Sequence, residues 1–173
     1  MRKIKIIGVL VIFLLSFLSH FMYEWIPNTL FSLIFPVNES IWEHMKLLVT
    51  PVLIFSLIEY IIYKKKDINF NNFILSYSIS MLIGIIIYLM LYLPIHYLLG
   101  HSSIFAIILL FIVFILIEII SYYIVRYKEV RYLKFIGLGI ILVMYIIFGY
   151  LTYYPFECDL FYDTSKNIYG ILK

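Results

Sequence analysis

Residues 73–93 read Phe-Ile-Leu-Ser-Tyr-Ser-Ile-Ser-Met-Leu-Ile-Gly-Ile-Ile-Ile-Tyr-Leu-Met-Leu-Tyr-Leu, without one charged side chain. A helix needs about 20 apolar residues to cross the ~30 Å hydrocarbon core of a bilayer. A half-buried strand would alternate polar and apolar positions; this run does not, and so it reads as a spanning helix. Four comparably apolar runs share the chain, at residues 4–22, 45–63, 104–125 and 135–153. Backbone polar groups must all be paired inside lipid, which for runs this long and continuous leaves helices. The predicted fold class is therefore all-α: a polytopic transmembrane helical bundle of five spans, forming a single domain over 1–173.

Composition points the same way. Hydrophobic residues make up 65% of the 173 and charged residues 13%, against about 45–50% and about 25% in soluble domains. With mean hydropathy at +1.06, a soluble enzyme, a disordered tail, a secreted disulfide scaffold and a nucleic-acid binder are excluded. The partner this chain must have is the lipid bilayer. A lone Cys158 leaves no internal disulfide framework. The first run opens with Arg2, Lys3 and Lys5 but lacks a small-residue cleavage site, and four more spans follow it. It reads as an uncleaved signal anchor.

Lysine and arginine near span ends set orientation. One set of connections carries Arg2, Lys3, Lys5, Lys64, Lys65, Lys66, Arg126, Lys128, Arg131 and Lys134; the other carries Lys46, Lys166 and Lys173. This asymmetry predicts a multi-pass cell-membrane protein with a cytoplasmic N-terminus and an extracellular C-terminus. All four histidines (His20, His44, His96, His101) then fall at the outer boundary, with Glu24, Glu39 and Glu43. Only Glu59 and Glu118 lie among the acids within spans. Glu59 reads as snorkelling toward Lys64; Glu118 reads as hydrogen-bonded to a Ser or Tyr, or as functional, because intramembrane ionisable groups are costly.

Between the first two spans, residues 24–40 form an outer interfacial segment. Its apolar part, Leu30–Phe35, predicts a short helix opened by Asn28 or Thr29 and stopped by Pro36. Ser40-Ile-Trp-Glu43 has the form of a capping box. If helical geometry reaches back to residue 39, Glu39, Glu43, Lys46 and Thr50 share one face, and Pro51 kinks the span. His44 points off that stripe. A tail at 154–173, rich in aromatics and acids, is expected to fold back over the outer mouth.

The run Pro36-Val37-Asn38-Glu39-Ser40-Ile41-Trp42-Glu43-His44-Met45-Lys46-Leu47 resembles the signature of a family of small uncharacterised membrane proteins from clostridia and related bacteria. His20–Trp25 is similar to that family's first-span end, and residues 161–171 to its closing motif, with Thr164 and Lys166–Asn167 where a Pro and a Gly are expected. The resemblance implies a bacterial plasma-membrane protein with a shared site of undefined chemistry.

Imidazole and carboxylate converging on a wet boundary suit a divalent metal such as zinc. The candidate ligands are His20, Glu24, His44, His96 and His101, with Glu39 and Glu43 as candidate catalytic carboxylates. No HExxH-type spacing is present. A metal-dependent enzyme acting on a lipid or headgroup ester is one expectation. The alternatives are a small-solute or cation carrier component or substrate-binding subunit that uses Glu118, completed by a second copy or a membrane partner subunit, and a non-catalytic accessory protein.

Overall fold

A computed structural model describes residues 1–100 and 102–171. The elements run α1 (Arg2–Trp25), α2 (Thr29–Ile34), α3 (Ile41–His44), a 3-10 turn (Met45–Leu48), α4 (Thr50–Lys65), α5 (Phe73–Leu99), α6 (Ser103–Ile124), α7 (Leu133–Tyr153), a second 3-10 turn (Asp159–Phe161) and a hairpin of β1 (Tyr162–Asp163) and β2 (Ile168–Tyr169). Among the described residues, five helices are long and apolar enough to cross a membrane, α3 through α4 counting as one. The chain is thus all-helical apart from the antiparallel β1–β2 pair.

α5 packs against both α6 and α7, while α1 packs against α4 and α6. α2 lies across α7 and touches α1. The shared core includes Ile12 of α1, Val52 and Phe55 of α4, Met81 of α5, and Phe114 and Ile117 of α6, all nearly or fully buried. With no hydrophobic force between helices inside lipid, close packing at small residues carries the association. A Cβ at Gly137 would stand 2.8 Å from the Leu75 backbone, so α7 meets α5 there at a separation only glycine permits. Gly139 faces open space and plays no such part.

Several local expectations meet their structural outcome here. α2 forms where the apolar stretch predicts it, and Asn28 caps it by accepting the Phe31 N–H at 2.9 Å. Phe35 is already extended, as the residue before a proline prefers to be. Residue 39 is not helical, however: α3 begins at Ile41, and its last turn tightens into the 3-10 segment. The single polar stripe through Glu39, Glu43, Lys46 and Thr50 therefore does not exist. Pro51 sits in the first turn of α4, where its missing N–H costs nothing, rather than kinking a continuous span. α5 runs through Pro94 to Leu99, past the boundary expected at residue 93. His101 and Lys173 lie outside the described residues.

Candidate functional site

The loop after α2 is shaped by its own side chains. Asn38 Oδ1 accepts the Ser40 N–H at 2.9 Å, and its Nδ2 donates to the Gly170 carbonyl at 2.7 Å. Ser40 Oγ accepts the Glu43 N–H at 3.3 Å, which is half of the expected capping box. The other half is missing, because the Glu43 carboxylate turns inward to Lys46 at 2.6 Å and to the Val37 N–H at 3.1 Å. Thr152 Oγ1 donates to the same carboxylate at 2.6 Å. Lys46, fully buried, spends its remaining donors on the Ser32 carbonyl at 2.7 Å and on Thr152 Oγ1 at 2.8 Å. Glu43 and Lys46 thus form an ion pair buried inside the bundle.

Because the stripe breaks at residue 40, Glu39 and Glu43 face different partners. Glu39 Oε2 lies 3.5 Å from His20 Nε2 and 3.4 Å from His44 Nε2, and the two Nε2 atoms are 3.1 Å apart. His44 Nδ1 is 2.8 Å from the Ser40 carbonyl. A carbonyl only accepts, so Nδ1 carries a proton; Nε2 faces the triangle, donating to Glu39 when the ring is charged and offering its lone pair when it is neutral. Hydrogen bonds from His20 and then His44 hold the Glu39 carboxyl well below the ordinary carboxylate range, against its partial desolvation.

The backbone beneath Glu39 is fixed by the tail, which does fold back over this end. Asp163, fully buried, accepts the Glu39 N–H at 3.0 Å on Oδ2. On Oδ1 it accepts the Ser165 hydroxyl at 2.6 Å and N–H at 2.8 Å, and the Lys166 N–H at 3.2 Å. Burial pushes the Asp163 carboxyl up, but these hydrogen bonds outweigh it and leave the carboxyl below its usual value. Phe161 rests on Trp42 with ring centroids 5.1 Å apart, so the hairpin clasps the loop from outside.

Behind the triangle lies a cavity of about 270 Å³ bounded by α1, α3, α5 and α6. Its walls are mostly apolar, with Phe17, Ile41, Leu47, Ile107 and Leu110, and Ser16, Tyr88 and Tyr92 add hydroxyls. Of the sequence-predicted ligands, the fold brings His20 and His44 together with Glu39. Glu24 is exposed at the end of α1 and outside this group. His96 stacks on Tyr92 at 5.6 Å and so stands one residue away from the cavity.

A second polar centre occupies the other end of the bundle. Lys5 Nζ lies 2.8 Å from Glu59 Oε2 and 3.1 Å from Glu118 Oε2, and all three side chains are at most 5% exposed. Glu59 therefore does not snorkel toward Lys64. Tyr63 donates to Glu59 Oε1 at 2.7 Å and Tyr77 to Glu59 Oε2 at 2.5 Å. Sequence reasoning counted Lys5 among the orienting charges and missed it here. The available signal was a lysine one turn inside an apolar run, with Glu59 and Tyr63 one turn apart on another.

Three distances of 3.1, 3.4 and 3.5 Å match one face of a tetrahedron. Zinc bonds of about 2.0–2.1 Å place neighbouring ligands about 3.3 Å apart. Two histidines and one carboxylate at this spacing could hold a divalent metal ion. No curated protein and no solved structure matches this chain. Residues 1–171 match a family model in full, and the chain belongs to DUF6512, a family of unknown function.

Proposed function

We propose that this protein is a multi-pass membrane protein that binds a divalent transition metal, zinc by preference, through His20, Glu39 and His44, and acts there on the ester of a lipid or headgroup. The observation that carries the reading is the triangle itself: three ligand atoms at tetrahedral spacing, one tautomer fixed by Ser40, and an apolar cavity behind them. An imidazole held by a backbone carbonyl through its far nitrogen is the usual support of a metal-bound histidine. A lipid chain in the cavity would bring its polar junction to the triangle, where a bound metal would polarise a carbonyl or activate water. Glu39 serves as a ligand in this reading. Glu43, committed to Lys46 and Thr152, supports the loop.

The orientation follows from the basic residues. With Lys5 and Lys46 both inside the bundle, the ends of the spans still carry nine basic residues on the N-terminal side against two on the other. This asymmetry supports a cytoplasmic N-terminus in our reading, with the triangle then at the outer face of a bacterial plasma membrane.

Elemental mass spectrometry of detergent-purified protein tests the reading. Wild type should carry close to one zinc per chain, and Glu39→Ala and His44→Ala should lose it while remaining helical. A folded wild type that stays metal-free after exposure to zinc would overturn the proposal. Metal-loaded protein should then release fatty acid or headgroup from lipid esters, and Glu39→Gln should not.

A further inference from the structure

The centre around Lys5 has more negative groups than positive ones. Among the described residues Lys5 from α1 is its one cation; Glu59 from α4 and Glu118 from α6 are two carboxyls. The other groups facing it are the Tyr63 hydroxyl of α4, the Tyr77 hydroxyl and Ser76 of α5, and Ser121 of α6. An uncompensated charge sealed inside a bundle costs several kcal/mol or more. One of the two carboxyls is therefore the natural seat of a proton.

Donor accounting says which. The three N–H donors of Lys5 go to Ser121 Oγ at 2.7 Å, Glu59 Oε2 at 2.8 Å and Tyr77 Oη at 3.0 Å. The single proton of Tyr77 goes to Glu59 Oε2 at 2.5 Å. Glu59 thus receives Lys5, Tyr77 and Tyr63, the acceptor set of an ionised carboxylate. Glu118 receives nothing that is uncommitted. Its Oε2 stands 3.1 Å from Lys5 Nζ but takes none of that group's three hydrogen bonds, and its Oε1 stands 3.3 Å from Tyr77 Oη, whose proton is already given away. That 3.3 Å contact becomes a hydrogen bond only if Glu118 supplies the proton.

Two of the centre's tyrosines border an open groove. A groove of about 1200 Å³ opens at the lysine-rich end between α4, α5 and α7, with Lys64, Arg131 and Lys134 at its rim. Tyr63 and Tyr77, the two tyrosines that hold Glu59, form part of its wall.

We infer that the Lys5–Glu59–Glu118 centre is a proton-binding site, holding one proton on Glu118 and exchanging it with the groove through the Tyr77 hydroxyl. Transfer balances without ionising the tyrosine. Glu118 gives its proton to Tyr77 Oη as Tyr77 passes its own to Glu59, and the pair keeps one proton throughout. Loss of that proton to water leaves the centre one negative charge in excess, so the site binds it back from the groove. This inference is independent of the metal reading, which concerns the opposite end of the molecule.

Infrared spectroscopy of the protein in phospholipid vesicles at neutral pH reads the site directly, through the carbonyl stretch of a protonated carboxyl and its downshift in D2O. Charge counting predicts one protonated carboxyl in wild type and none in Glu118→Gln or Glu59→Gln, where one carboxylate matches Lys5. It predicts two in Lys5→Met. A purely structural ion pair would give no band in wild type, and that result overturns the proposal. An unchanged band in Glu118→Gln, or no gain in Lys5→Met, overturns it equally. Glu118→Gln should fold with a near wild-type melting temperature, because the amide replaces a neutral acid; a collapsed variant would mean that Glu118 is ionised.

Discussion

Among the described residues each end of the bundle buries one lysine, and the two are built on opposite plans. Lys46 meets a single carboxylate, Glu43, and the Ser32 carbonyl and the Thr152 hydroxyl take its other hydrogen bonds. Lys5 meets two carboxyls and no backbone carbonyl, with tyrosine and serine hydroxyls filling the gaps. The first arrangement is balanced in charge and locked to a loop, so it has one stable state. The second has a spare carboxyl and mobile hydroxyl protons, so it can exist in more than one protonation state. A buried lysine by itself therefore tells little; the count of its partners separates a fastener from an exchange site.

The comparison breaks most visibly at Glu43. Removing one partner of a balanced buried pair strands a charge, and Glu43→Gln should cost about 3–5 kcal/mol, seen as a large drop in thermal unfolding temperature in detergent. A variant that melts like wild type would mean that Lys46 finds water or another acceptor. Next comes Asp163→Asn, which weakens the acceptor beneath the Glu39 N–H. Supports of this kind typically cost 10–100-fold in metal affinity, measurable by zinc competition. Asp163 also gives the tail a pH dependence. Its carboxyl titrates below the ordinary aspartate value of about 3.9, so its stabilisation is complete above that pH and fades as pH falls through the lowered folded value. Limited proteolysis of the tail should accelerate only in that acidic window.

The smaller effects sharpen the other side. Glu59→Gln should cost about 1.5 kcal/mol, the scale of a charged hydrogen bond, because Glu118 can ionise and take over Lys5. A loss as large as that of Glu43→Gln would deny Glu118 this reserve role. Glu118→Gln should shift stability by less than about 1 kcal/mol. Parallel melts of the three variants in one detergent would rank them.

The spans were legible because each is a long, uninterrupted apolar run, and the bilayer admits few backbone solutions for such a run. The α2 cap was legible because Asn28 acts on its own neighbours. What stayed hidden was the register of short polar segments. Whether Glu39 shares a face with Glu43 depends on one turn at residues 38–40, and that turn is fixed by Asn38 reaching Gly170 across the chain. The triangle of His20, Glu39 and His44 shows the same divide. His20 and His44 could be suspected from residue type and placement, but Glu39 joins them through a non-helical loop rather than through spacing. Lys5 was concealed for another reason: a basic residue near an N-terminus has an ordinary explanation in membrane orientation.

The hairpin at Tyr162–Tyr169 has a consequence in the order of synthesis. His20, Glu39 and His44 all leave the ribosome before α5, α6 and α7 exist, yet the loop between them is fastened by Asp163 and Gly170, which follow every helix. During assembly the chain can insert all five spans while the triangle is still unset. The contacts that hold the backbone at Glu39 thus form last, in a chain translated past its last helix.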